Sequence, residues 1–161
     1  MNSLYEGIEF DTAQTAMMCR GLLDLAAVDG VHDTEIALIK DFYSGSGGGA
    51  QDLEVFANAG FDLEEAAAIL KGDQAVAFLL SCYMLIYADG LQSDEERVRI
   101  GEYAAALDIS EGRLEELHVQ ARLYLLSVMA ETLKNRAVVQ AMGMELGLSA
   151  DVIASAMKEE N

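Results

Sequence analysis

The chain has 161 residues, 52 % of them apolar, and carries 28 Asp and Glu against 10 Lys and Arg for a net charge of −18. So large an apolar fraction excludes a disordered chain and supplies enough material for a core, within the usual size of a single domain. The negative field weighs against nucleic acid and anionic membrane surfaces as partners, and favours divalent cations and basic protein faces.

Proline and tryptophan are absent. Ala, Leu, Glu and Met dominate, and no stretch alternates like a strand, so the expected fold is all-α, with about seven to eight helices. Residues 1–10 read as an N-terminal extension without the basic and apolar regions of a secretory signal. Asp11 or Thr12 caps a first helix running to about Val28, with Met18, Leu22, Leu25 and Ala26 at helical spacing. Asp29-Gly30 ends it, and Asp33 caps a second helix to about Tyr43 with Ile36, Ile39 and Tyr43 on one face.

Residues 44–50 (SGSGGGA) read as a flexible loop. A phosphate-cradling loop would need Lys-Ser/Thr after the last Gly, or a preceding strand, and has neither. A short helix follows over Gln51 to Asn58. Asp62 and Glu65 have the spacing of a capping box for a helix from Leu63 to Leu70. Asp73 then caps a long apolar helix ending at Asp89-Gly90. That helix holds the longest apolar run, Ala75 to Ala88, interrupted at Ser81. The run falls short of the ~20 residues of a membrane span and is expected in the middle of the fold. Ser93 and Glu96 form a second capping box, opening a helix to about Leu107. Ser110 caps a long helix to about Ala130, another covers roughly Leu133 to Leu146, and Ser149 caps a last one after Gly147.

Two echoes run through this order. Leu25 to Glu35 (LAAVDGVHDTE) and Leu85 to Glu95 (LIYADGLQSDE) each read as an apolar helix end, Asp-Gly, four residues and Glu. Leu107 to Leu117 (LDISEGRLEEL) and Leu146 to Ala156 (LGLSADVIASA) each read as a helix end, a tight turn and a Ser-capped helix. The chain is therefore expected to be built from helical hairpins with an internal two-fold repeat.

The acidic turns are the candidate site. Gly30 and Gly90 reverse the chain, so Asp29 can face Glu35 and Asp89 can face Glu95 across one helix-to-helix turn. Caps and helix stops account for most of each motif, since an acidic side chain in a first turn gains roughly 0.3–1 kcal/mol from the helix dipole. They account less well for Asp29 and Asp89, which stand at the unfavourable end of that dipole. Two Asp/Glu pairs brought together would offer four carboxylates to a hard cation such as Ca²⁺, Mg²⁺ or Mn²⁺. The motif is not an EF-hand, whose acidic or amide ligands two and four residues before the Asp of Asp-Gly are here Ala27 and Leu25, and Tyr87 and Leu85.

These segments resemble the repeated signature of the TerB-like family of bacterial tellurite-resistance proteins. There an apolar helix ending in Ala-Asp-Gly precedes a Glu-bearing helix, twice, in an all-helical domain. Val28 to Glu35 and Ala88 to Glu95 carry the resemblance, the two turns at Leu107 to Ser110 and Leu146 to Ser149 fit it, and it spans most of the chain from Thr12. It implies one TerB-like domain over residues 1–161 that binds a divalent metal at Asp29, Glu35, Asp89 and Glu95. It also implies a role in tellurite resistance and wider stress responses through protein partners, often near the membrane. The chain differs in having only four lysines and a Gly-rich segment at 44–49 that reads as a local insertion. A metal-assisted hydrolase with Glu35 or Glu95 as base, and a helical scaffold without metal, are the alternatives.

The remaining chemistry-bearing residues have plainer expectations. Cys19 and Cys82, in apolar helices and without metal-ligand spacing, read as buried free thiols of a cytosolic protein. His32 reads as a loop residue, since the second copy has Gln92 in its place, and His118 as a surface residue among Glu115 and Glu116. Met17, Met18, Met84, Met129, Met142 and Met144 read as core rather than as a soft-metal or oxidant-sensing surface.

Overall fold

The computed structural model describes residues 8, 10–28, 33–45, 52–87, 93–133 and 135–158. It is all-helical, with nine helices among these residues: α1 (Thr12–Ala26), α2 (Asp33–Gly45), α3 (Asp52–Ala59), α4 (Leu63–Ile69), α5 (Asp73–Tyr87), α6 (Asp94–Ala106), α7 (Glu111–Leu133), α8 (Arg136–Glu145) and α9 (Ala150–Lys158). The first two residues of the expected Gly-rich loop complete α2, and residues 46–50 lie outside the described residues. Among the described residues, no helix is long and apolar enough to cross a membrane.

The chain divides into two compact units, residues 1–114 and 115–161. In the first, α1 packs against α2, α3, α4, α5 and α6, and α5 packs against α1, α2 and α6. The all-round apolar character of α5 explains its position, with ten of its fifteen residues buried. Ser81, the polar interruption, donates its hydroxyl hydrogen bond to the Ala77 carbonyl at 2.8 Å, which satisfies it inside the core. Phe61, Phe78 and Tyr103 stack their rings at centroid distances of 5.2–5.7 Å. Gly21 lets α1 come close to this cluster, because a Cβ there would stand 2.5 Å from Phe78 ring atoms. Tyr43 of α2 meets Phe56 of α3 edge-on at 5.2 Å.

Caps set the helix starts. Asp11 accepts the Gln14 N–H at 2.7 Å and the Gln14 side chain accepts the Asp11 N–H at 2.9 Å, a full capping box. Ser93 and Glu96 close the box expected for them. Asp62 caps α4 through the Glu65 N–H at 2.9 Å, but the second half of that box is missing. Glu65 instead pairs with Arg20 of α1 at 3.1 and 3.3 Å, and Arg20 also donates to the Gly60 carbonyl at 2.6 Å. Two hydrogen bonds to a guanidinium cation outweigh one to a backbone N–H, so the carboxylate is drawn into tertiary structure.

In the second unit, α8 packs against α9 around a small core of Leu126, Val139, Leu148 and Ile153. Asn135 caps α8 by accepting the Val138 N–H at 3.2 Å, which fixes the start of that helix. Gly143 allows close packing here, since a Cβ would stand 2.8 Å from Ile153. Arg122 donates to the Leu146 carbonyl at 3.1 Å and so satisfies the end of α8.

Candidate functional site

The two Asp-Gly turns link helices of matched length. α1 and α5 each have 15 residues, and α2 and α6 each have 13. Residues 27–32 connect the first pair and residues 88–93 the second. The repeat is therefore a property of whole elements, and α1 packs against α5 so that the two copies adjoin.

Asp29 and Asp89, with Gly30, Gly90 and His32, lie outside the described residues. α1 ends at Ala26, where the Ala27 N–H bonds back to the Leu23 carbonyl at 3.2 Å. α5 is described as far as Tyr87.

Glu35 and Glu95 are described, and they differ. Glu35, the third residue of α2, is buried with 3 % of its surface exposed, whereas Glu95, the second residue of α6, is exposed. The residue of the second copy that matches Glu35 by position and burial is Glu96, third in α6 and 5 % exposed. Each buried glutamate is followed four residues later by a buried isoleucine, Ile39 and Ile100. Sequence reasoning placed the pair at Glu35 and Glu95 because it aligned the Asp-Gly dipeptides. The capping spacing from Ser93 to Glu96 was the signal for the other register. Glu96 Oε1 accepts the Ser93 N–H at 2.9 Å, and Ser93 Oγ accepts the Glu96 N–H at 3.2 Å. Among the described residues, no group of three or more His, Cys, Asp and Glu side chains is placed to hold a metal ion.

A polar cluster that sequence reasoning missed lies between α1 and α6. Asp24 Oδ2 accepts hydrogen bonds from the Tyr103 hydroxyl and from Arg99 Nε, the latter at 2.8 Å. Arg99 Nη1 also reaches Glu102 at 2.6 Å, and its guanidinium lies 5.0 Å from the Tyr103 ring centroid. Burial, then the neighbouring Cys82 and Asp24, raise the Tyr103 hydroxyl far above its ordinary pKa, so it remains a donor. The hydrogen bond to Asp24 raises Arg99 against the opposing effect of burial. An aspartate inside the apolar run Leu22 to Ala27 was the visible signal, but its partners stand some 75 residues away.

The thiols are as expected, free and buried. Burial pushes Cys19 up to about 12 and raises Cys82 well above the ordinary thiol value, which leaves both as unreactive thiols. His118 departs from expectation, since it is half-buried rather than on the surface. Desolvation first, and then Arg122, lower its pKa to about 4, against an opposing pull from Glu115. Met17 and Met18 are core residues and Met84 and Met142 are half-buried, but Met144 is 61 % exposed because it lies on the outer face of α8. The Met129 side chain lies outside the described residues.

No protein-family model, curated protein or solved structure matches the chain.

Proposed function

We propose that the protein is a TerB-like, non-enzymatic binding module of the bacterial cytoplasm, acting in tellurite resistance or a broader stress response. In this reading it holds a divalent cation at its repeated acidic turns and works through protein partners, including membrane-associated ones, rather than nucleic acid. The observation that supports it is the repeat of a 15-residue helix, an Asp-Gly connection and a 13-residue helix, each with a buried glutamate at its third position. Burying a carboxylate is expensive unless a hydrogen bond, an opposite charge or a metal compensates it. The proposed ligands are Asp29, Glu35, Asp89 and Glu95, with Glu96 competing with Glu95 for the fourth place. Carboxylate oxygens suit Ca²⁺, Mg²⁺ or Mn²⁺, with Zn²⁺ as the remaining candidate.

A metal-free helical scaffold is the second reading. It is favoured by one observation, that Glu96 already has a complete role in the capping box with Ser93. A thermal melt of chelator-stripped protein, titrated with the four cations, separates the two. A cation bound only by the folded state adds about 2.7 kcal/mol of stability at a hundred times its dissociation constant. The expected result is a selective rise in the midpoint that is lost in Asp89→Ala. A rise that is the same for all four cations at matched ionic strength, and unchanged in Asp89→Ala, would remove the metal site and leave the scaffold.

A further inference from the structure

We draw no further inference here: the strongest candidate, the Asp24–Arg99–Glu102–Tyr103 side-chain cluster between α1 and α6, is joined by hydrogen bonds among its own members as a clasp between two helices, and among the described residues nothing points to a ligand for it.

Discussion

Asp24 accepts two hydrogen bonds on one oxygen, from a fully buried tyrosine and a partly buried arginine. Removing only the hydroxyl, as Tyr103→Phe, keeps the ring against Phe61 and Phe78 and keeps the Arg99 pair. A hydrogen bond to a charged group contributes about 1.5–3 kcal/mol, so Tyr103→Phe is expected to lower stability by roughly that amount. Urea unfolding of the variant measures it, and an unchanged midpoint would mean that the Tyr103–Asp24 hydrogen bond adds nothing net. His118 makes a different residue-scale prediction. Its folded pKa of about 4 lies below the ordinary 6.5, so between these values the unfolded chain binds the proton more readily. Stability attributable to His118 is therefore intact above about pH 6.5 and falls as the pH drops toward 4. Because the side chain is only half-buried, solvent screening reduces the effect below what the shift alone would give. His118→Gln is expected to melt like the parent at pH 7 and to lose less on acidification. Equal losses in the two proteins, measured from pH 7 to 4.5, would show that carboxylates alone set the acid sensitivity.

At the scale of elements, the close approach of α1 to the aromatic cluster depends on Gly21. A methyl group placed 2.5 Å from Phe78 forces either the ring or the helix to move. Overpacking of this kind costs about 1–3 kcal/mol, so Gly21→Ala is expected to be destabilising even though alanine is the better helix former. A calorimetric melt showing stabilisation would contradict the packing. The Leu107 and Leu146 turns offer the opposite case. Each ends its helix in a Schellman motif: Ile109 N–H reaches the Ala104 carbonyl at 2.8 Å, and Leu148 N–H reaches the Gly143 carbonyl at 3.1 Å. The left-handed position is Gly147 in one copy, at φ 81°, and Asp108 in the other, at φ 60°. A non-glycine residue there is strained by up to roughly 1–2 kcal/mol, less for Asp than for most. Asp108→Gly is therefore expected to raise stability by about 0.5–1 kcal/mol, readable as a higher urea midpoint.

The same elements show what the sequence could convey. Leu-Asp-Ile-Ser and Leu-Gly-Leu-Ser spell out a turn whose parts are all local: a helix end, a left-handed residue, an apolar contact and a serine cap. The Ser93–Glu96 box was legible for the same reason. Glu65 was legible only by half, because its backbone N–H obeys the local rule while its carboxylate is taken by Arg20, 45 residues away. The acidic repeat was legible as a pattern, and the sequence reads it in two registers. Asp29 and Asp89 are 60 positions apart, but Glu35 and Glu96 are 61 apart. That one-residue difference exchanges an exposed glutamate for a buried one. Burial depends on where the helix face points in the packed unit, which no spacing of dipeptides specifies.

For the molecule as a whole, a net charge of −18 makes any cation stabilising to some degree. Self-repulsion among carboxylates is relieved by added salt, whose screening length is about 10 Å at 0.1 M. A gain of about 1 kcal/mol moves the melting midpoint of a domain of this size by roughly 2–4 °C, so NaCl alone is expected to give a rise of that order. A divalent titration read without this background would credit the acidic turns with an effect of the entire surface. The comparison must therefore be made at matched ionic strength, with Glu95→Ala and Glu96→Gln beside the parent protein. General screening predicts the same rise with NaCl and with each divalent cation, in every variant. A cation held at the turns predicts an additional rise with one divalent ion, saturating with its concentration. If Glu95→Ala abolishes that excess, the Asp-Gly register defines the ligands; if Glu96→Gln abolishes it, the helix register does. Glu96→Gln retains an amide oxygen able to accept the Ser93 N–H, so its loss of the excess would report on the carboxylate charge rather than on the helix cap.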